Sequence, residues 1–175
     1  MKKINLEKGF TRTPKFGVTP KGGGFTLIEL LVVVAIIGVL ASVILVNSGD
    51  ARNKGNDTAV KTNLATLRQV AEIFFLNNLN SYLPAGGVNV AGACPNYDPQ
   101  GTNMLSKDKV IADALAEAIK RGNGSSCYNS ANAWAVAVGL KLTLGTSWCV
   151  DTTGTAKMVN SVPAGAINSS SFTCN

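Results

Sequence analysis

Residues 25–46, FTLIELLVVVAIIGVLASVILV, contain a single charge, Glu29, and two hydroxyls, Thr26 and Ser42. No other stretch constrains the chain as strongly. As a helix rising about 1.5 Å per residue, the run reaches about 33 Å, enough to cross a hydrocarbon layer of about 30 Å. It has no polar face to turn toward water, so it does not read as an amphipathic helix of a soluble core. It is also longer than the 7–15 apolar residues or so of a secretory signal peptide, and no A-x-A-like site follows it. The run predicts a membrane span.

The flanking charges set the orientation of that span. Lys2, Lys3, Lys8, Arg12, Lys15 and Lys21 precede it with Glu7 as the only acid, whereas only Arg52 and Lys54 follow closely. This asymmetry places the N-terminus in the cytoplasm and residues 47–175 outside. The whole chain carries a formal charge of +6, which taken alone would suggest nucleic acid. Yet six of the sixteen basic residues and only one of the ten acids lie in 1–24, so the remainder is nearly neutral. The charge distribution therefore argues against nucleic acid as a partner. The chain has no His, which excludes Ser-His-Asp and Cys-His catalysis, a His base and His metal ligands. No catalytic constellation, cofactor motif or metal site is expected.

Beyond Asp57 the pattern becomes one-sided. Val60, Leu64, Leu67, Ala71 and Phe74 recur every three or four residues, with Lys61, Asn63, Arg68, Gln69 and Glu72 between them. One long helix from about Phe25 to Leu79 is the simplest account, ended by Asn77–Ser81 and Pro84. Residues 84–105 read as loop. A short helix fits about 106–121, with Ser106 as N-cap and Gly122 as stop. From Ala133 the period becomes two, with Trp134, Val136, Val138, Leu140, Leu142 and Leu144 on one face. Strands are expected at about 133–144, 147–151 and 156–160, forming an antiparallel meander. The helix's apolar face is its natural cover. The tail 161–175 has no assignable pattern.

Gly22-Gly23-Gly24-Phe25-Thr26-Leu27-Ile28-Glu29 resembles the prepilin N-terminus of type IV pilins and type II secretion pseudopilins. The resemblance implies cleavage after Gly24 by a membrane peptidase, N-methylation of the new N-terminal Phe25, and a role for Glu29 in assembly. The leader of 24 residues is longer than those that usually accompany an N-terminal Phe, and no proline interrupts the span, so Gly38 is its softest point. The implied fold is α+β: 1–24 a leader, 25–46 a membrane and filament-core segment, 47–80 the amphipathic half of the helix, and 81–175 a head. The implied partners are further copies of the chain in a helical filament, a prepilin peptidase and N-methyltransferase, and an assembly platform with its ATPase. The implied location is an inner-membrane precursor and an extracellular filament. A pseudopilin of a secretion or DNA-uptake machine is the alternative, and a membrane-anchored binding domain a second.

Physics alone singles out Glu29, because a carboxylate within a span costs a few kcal/mol and needs a partner. A free amine on Phe25 leads the same helix, so it meets Glu29 of a neighbour more readily than its own. Cys94, Cys127, Cys149 and Cys174 all follow the span, in an oxidising compartment, so two disulfides are expected. Three pairings are open. Cys94–Cys127 with Cys149–Cys174 would close the loop around the short helix and tie down the tail, and Cys127–Cys149 with Cys94–Cys174 comes next. Asp151, beside Gly154, is a weak calcium candidate and a better turn residue. Asp108, Asp113 and Glu117 read as a solvated helix face.

Overall fold

The structure, a computed structural model, describes residues 24–175, without the side chains of 43–48. The expected leader, Gly24 apart, therefore lies outside the described residues. The chain divides between Val43 and Ile44 into two units. Helix α1, Leu27–Asn77, crosses that boundary. In the first unit the described apolar side chains are all exposed, from Phe25, just before the helix, to Val39 and Leu40 within it. With no proline and no competing cap, the backbone ladder runs unbroken there.

The second unit is built around the one-sided half of α1. Val60, Leu64, Leu67 and Ala71 are fully buried, with Val70, Phe74 and Phe75 packed at their margin. Fully burying each large aliphatic contributes about 1.5–3 kcal/mol. The helix stops where Leu79 and Asn80 both take positive φ, 56° and 58°, and Asn80 N–H returns to the Phe75 carbonyl at 3.0 Å. The helix therefore ends two residues before the expected Leu79.

The sheet is antiparallel and in sequential order. Its strands are β1 (Val90–Gly92), β2 (Ser125–Asn129), β3 (Trp134–Gly139), β4 (Ser147–Asp151) and β5 (Ala156–Val159). Every residue of β3 is buried. Its large residues, Trp134, Val136 and Val138, join the α1 core. Its small ones, Ala135 and Ala137, pack with Cys149, Ala166 and Ile167 in a second layer. That layer is roofed by the C-terminal hairpin β6 (Ile167–Asn168) and β7 (Thr173–Cys174), which the tail's composition conceals.

Three further expectations are corrected. The strand placed at 133–144 ends at Gly139, and Leu142 and Leu144 are exposed. The backbone amides of Lys141 and Leu142 instead donate to the buried Asp57 carboxylate on α1, at 2.7 and 3.1 Å. That diversion closes the ladder. The single helix at 106–121 is two, α2 (Met104–Lys107) and α3 (Lys109–Arg121), separated by an extended Asp108. Asp108, not Ser106, caps α3 by accepting Ile111 N–H at 3.0 Å, and Asn103 caps α2. β1 and β2 were not expected from the sequence, because Ser125-Ser126-Cys127-Tyr128-Asn129 has little apolar alternation to betray a strand. Their pairing joins Val90 to Asn129, 39 positions further along the chain.

Candidate functional site

Thr26 stands immediately before the first helical residue and Glu29 lies in the first turn. The Thr26 backbone N–H and its hydroxyl both donate to Glu29 Oε2, each at 2.8 Å. In return Glu29 N–H donates to Thr26 Oγ1 at 3.3 Å. This reciprocal arrangement is a capping box, and it satisfies amides that the helix start would otherwise leave open. The sequence reading places Thr26 in the motif without its bonds to Glu29, although Thr-x-x-Glu is the spacing that signals them.

Glu29 lies in a shallow groove of about 390 Å³ whose other walls are Phe25, Ile28, Val32 and Val33. These positions recur with helical spacing, so the acid sits within one apolar face. Gly24 and Phe25 are both exposed, Phe25 to 88%. A Cβ at Gly24 would meet nothing within 4 Å. The peptide bond between them is thus open to solvent. Among the described residues, no helix is long and apolar enough to cross a membrane. Within the apolar run the side chains are described as far as Ser42, and residues 43–46 complete it in sequence only.

Of the three possible cysteine pairings, the structure holds Cys94–Cys127 and Cys149–Cys174. The first ties the loop after β1 to the sheet, and the second ties β7 to β4. Asp151 strengthens the second attachment. Its Oδ2 accepts Cys174 N–H at 2.8 Å, while its Oδ1 accepts from Thr153 N–H, Thr153 Oγ1 and Thr155 N–H at 2.9, 2.6 and 3.2 Å. The carboxylate faces donors, the wrong polarity for calcium, so Asp151 is a turn residue. Among the described residues, no group of three or more His, Cys, Asp or Glu could hold a metal ion. Asp113 and Glu117 pair along α3 with Lys109, Lys120 and Arg121. Arg121 in particular holds the Glu117 carboxyl below its ordinary pKa.

The model for the prokaryotic N-terminal methylation motif matches residues 20–45. The chain is 48% identical over 59 residues to the type IV wide pilus major component PilA4 of Thermus thermophilus, covering 34% of this chain and 44% of that protein. It is 43% identical over 56 residues to the type IV major pilin protein PilA of Myxococcus xanthus, covering 32% and 26%. To the type II secretion system core protein G of Klebsiella pneumoniae it is 30% identical over 80 residues, covering 46% and 57%. The chain therefore spans between about a quarter and three fifths of the length of these relatives. No solved structure matches. Over these parts the chain is similar to type IV pilins and to a type II secretion core protein. Its long N-terminal helix followed by a five-stranded antiparallel sheet accords with a type IV pilin architecture.

Proposed function

We propose that this chain is the precursor of a structural subunit of a type IV pilus filament, acting by assembly and not by chemistry. The observation that carries this reading is a Gly24–Phe25 junction and Glu29 inside the matched methylation motif, at the head of an apolar helix face that is exposed on the single chain. Residues 1–24 act as a leader cut after Gly24 by a prepilin peptidase, and Phe25 receives a methyl group that keeps its amine cationic. Before assembly the 25–46 segment lies in the inner membrane. In the extracellular filament the same segments keep dry by packing against one another. The Phe25 amine of one copy pairs with Glu29 of another and sets the stagger between them. An assembly platform and its ATPase drive the transfer.

The decisive measurement is the mass of the mature N-terminal peptide. A methylated peptide beginning at Phe25 is expected, and retention of residues 1–24 would overturn the reading. Glu29→Ala is expected to insert normally and to lose most filament yield. A second reading, a pseudopilin of a secretion machine, draws on the 80-residue resemblance to the type II secretion core protein G. Deleting the gene separates the two. Loss of surface fibres favours the pilus, and loss of secretion without visible fibres favours the pseudopilin.

A further inference from the structure

We propose that Thr26 is a positioning residue for assembly: it holds one oxygen of Glu29 so that the other is presented to the Phe25 amine of the adjoining copy. The inference rests on the assembly reading above and deepens it. Among the described residues, the hydrogen bonds to the Glu29 carboxylate come from Thr26 and end on Oε2. An ionised carboxylate has about four acceptor positions on its two oxygens. Two donors on Oε2 therefore leave Oε1 able to accept, and the same two bonds fix the direction in which it points. The third bond, from Glu29 N–H to Thr26 Oγ1, closes the ring and stops the threonine from rotating away. The hydroxyl thus uses its one proton toward Glu29 Oε2 and a lone pair toward Glu29 N–H.

Two consequences follow from the surroundings. Apart from Glu29, the groove is walled by apolar side chains, Phe25, Ile28, Val32 and Val33. A second helix laid over it would exclude water, and an ammonium–carboxylate contact gains strength as the local dielectric falls. A glutamate that is already immobilised loses less rotamer freedom when it docks, so pre-orientation favours the encounter. The same two bonds also partly satisfy the carboxylate while the subunit waits alone in the bilayer, where an unpartnered charge is costly. Oε2 serves the subunit's own helix and Oε1 serves its neighbour.

The test compares full-length Thr26→Val, Thr26→Ser, Glu29→Ala, Glu29→Gln and the double variant Thr26→Val/Glu29→Gln. Filament yield is scored per subunit whose N-terminus is Phe25, so that any effect on cleavage is divided out. Thr26→Val is expected to lower the yield about tenfold, the scale of one charge-assisted hydrogen bond, while Thr26→Ser stays near wild type. In the Glu29→Gln background, Thr26→Val is expected to add little. A threonine that only capped the helix would instead add its full loss there, because its bond to Glu29 N–H survives that change. As a second readout, the ¹³C signal of the Glu29 carboxylate in micelles is expected to shift in Thr26→Val and not in Thr26→Ser. Wild-type yield from Thr26→Val beside a block from Glu29→Ala, strictly additive losses, or an unmoved carboxylate signal would each overturn the inference and leave the assembly reading standing. Normal polymerisation of Glu29→Ala would overturn the assembly reading itself.

Discussion

Residues 27–42 and 57–75 belong to one helix, yet they solve opposite problems. In the first stretch the aliphatic side chains are exposed all round, with Ile36 at 55% and Leu27 at 81%. In the second, a single stripe is covered so completely that Val60, Leu64 and Leu67 expose nothing. The uncovered polar positions there are filled by Lys61, Thr62, Thr66 and Gln69. The second stretch finds its partner, the sheet and α3, within its own chain. The first has none among the described residues and must find it elsewhere. The contrast teaches that helix formation and burial are separate events. Backbone hydrogen bonds make both halves helical, and only the side-chain pattern decides what each half needs as a cover.

Matched truncations in the detergent-solubilised full chain test this contrast most severely. Leu64→Ala is expected to destabilise the head by about 2–5 kcal/mol through lost burial and a cavity. Ile36→Ala is expected to leave head unfolding where it was and to lower filament yield. Thermal unfolding followed by near-ultraviolet circular dichroism, beside a filament assay, reads both. Equal shifts in head stability would break the comparison.

A smaller effect is expected at the second layer of the head. Replacing Cys149 and Cys174 together by Ala should cost about 2–4 kcal/mol and release the roof of β6 and β7 from Ala135 and Ala137. The amides of residues 167–174 should then exchange faster, while the α1 stripe stays protected. Hydrogen exchange read by mass spectrometry would show whether the two layers are as separable as their contacts suggest.

The smallest effect concerns pH. Tyr82 is wedged between Phe75 and Trp134, with ring centroids at 4.6 and 6.4 Å, and its hydroxyl donates to Glu72 at 3.0 Å. Burial, followed by the Glu72 carboxylate, pushes the phenol up to about 12. An unfolded tyrosine ionises near pH 10. The folded state therefore holds its proton more tightly, so this contribution to stability is complete below about pH 10 and is lost as the pH rises toward 12. Denaturant midpoints should fall over that window in the parent, and more shallowly in Tyr82→Phe. A parallel decline would remove Tyr82 from the account.

Some of the head is visible in the residues and some is not. The α1 stripe is legible because Val60, Leu64, Leu67 and Ala71 repeat at helical spacing over many turns. β3 is legible because Trp134, Val136 and Val138 alternate with alanines. The end of β3 is not, since Leu140, Leu142 and Leu144 continue the alternation, while the chain turns back at 141–146 and a carboxylate 84 positions earlier takes the Lys141 amide. β2 is hidden for a related reason. Its polar residues are tolerated because the buried Asn129 uses its side chain, with Oδ1 accepting Met104 N–H at 3.2 Å and Nδ2 donating to the Ser130 carbonyl at 3.0 Å. At the candidate site the motif residues Gly24, Phe25 and Glu29 stand out in the sequence. The link from Thr26 to a single oxygen of Glu29 needed coordinates, because spacing says which residues can meet and not which atoms do.

By itself the sequence determines the long helix, its change from an apolar cylinder to a one-sided face, the position of Glu29, and an even set of cysteines beyond the apolar run. Each is a local or periodic property, set by backbone geometry and by the need to keep aliphatic surface from water. Only the tertiary structure decides which cysteines join, where β3 stops, and that both faces of β3 are buried. Those outcomes depend on groups far apart in the chain competing for the same amides and the same apolar surface. No window of sequence contains both competitors.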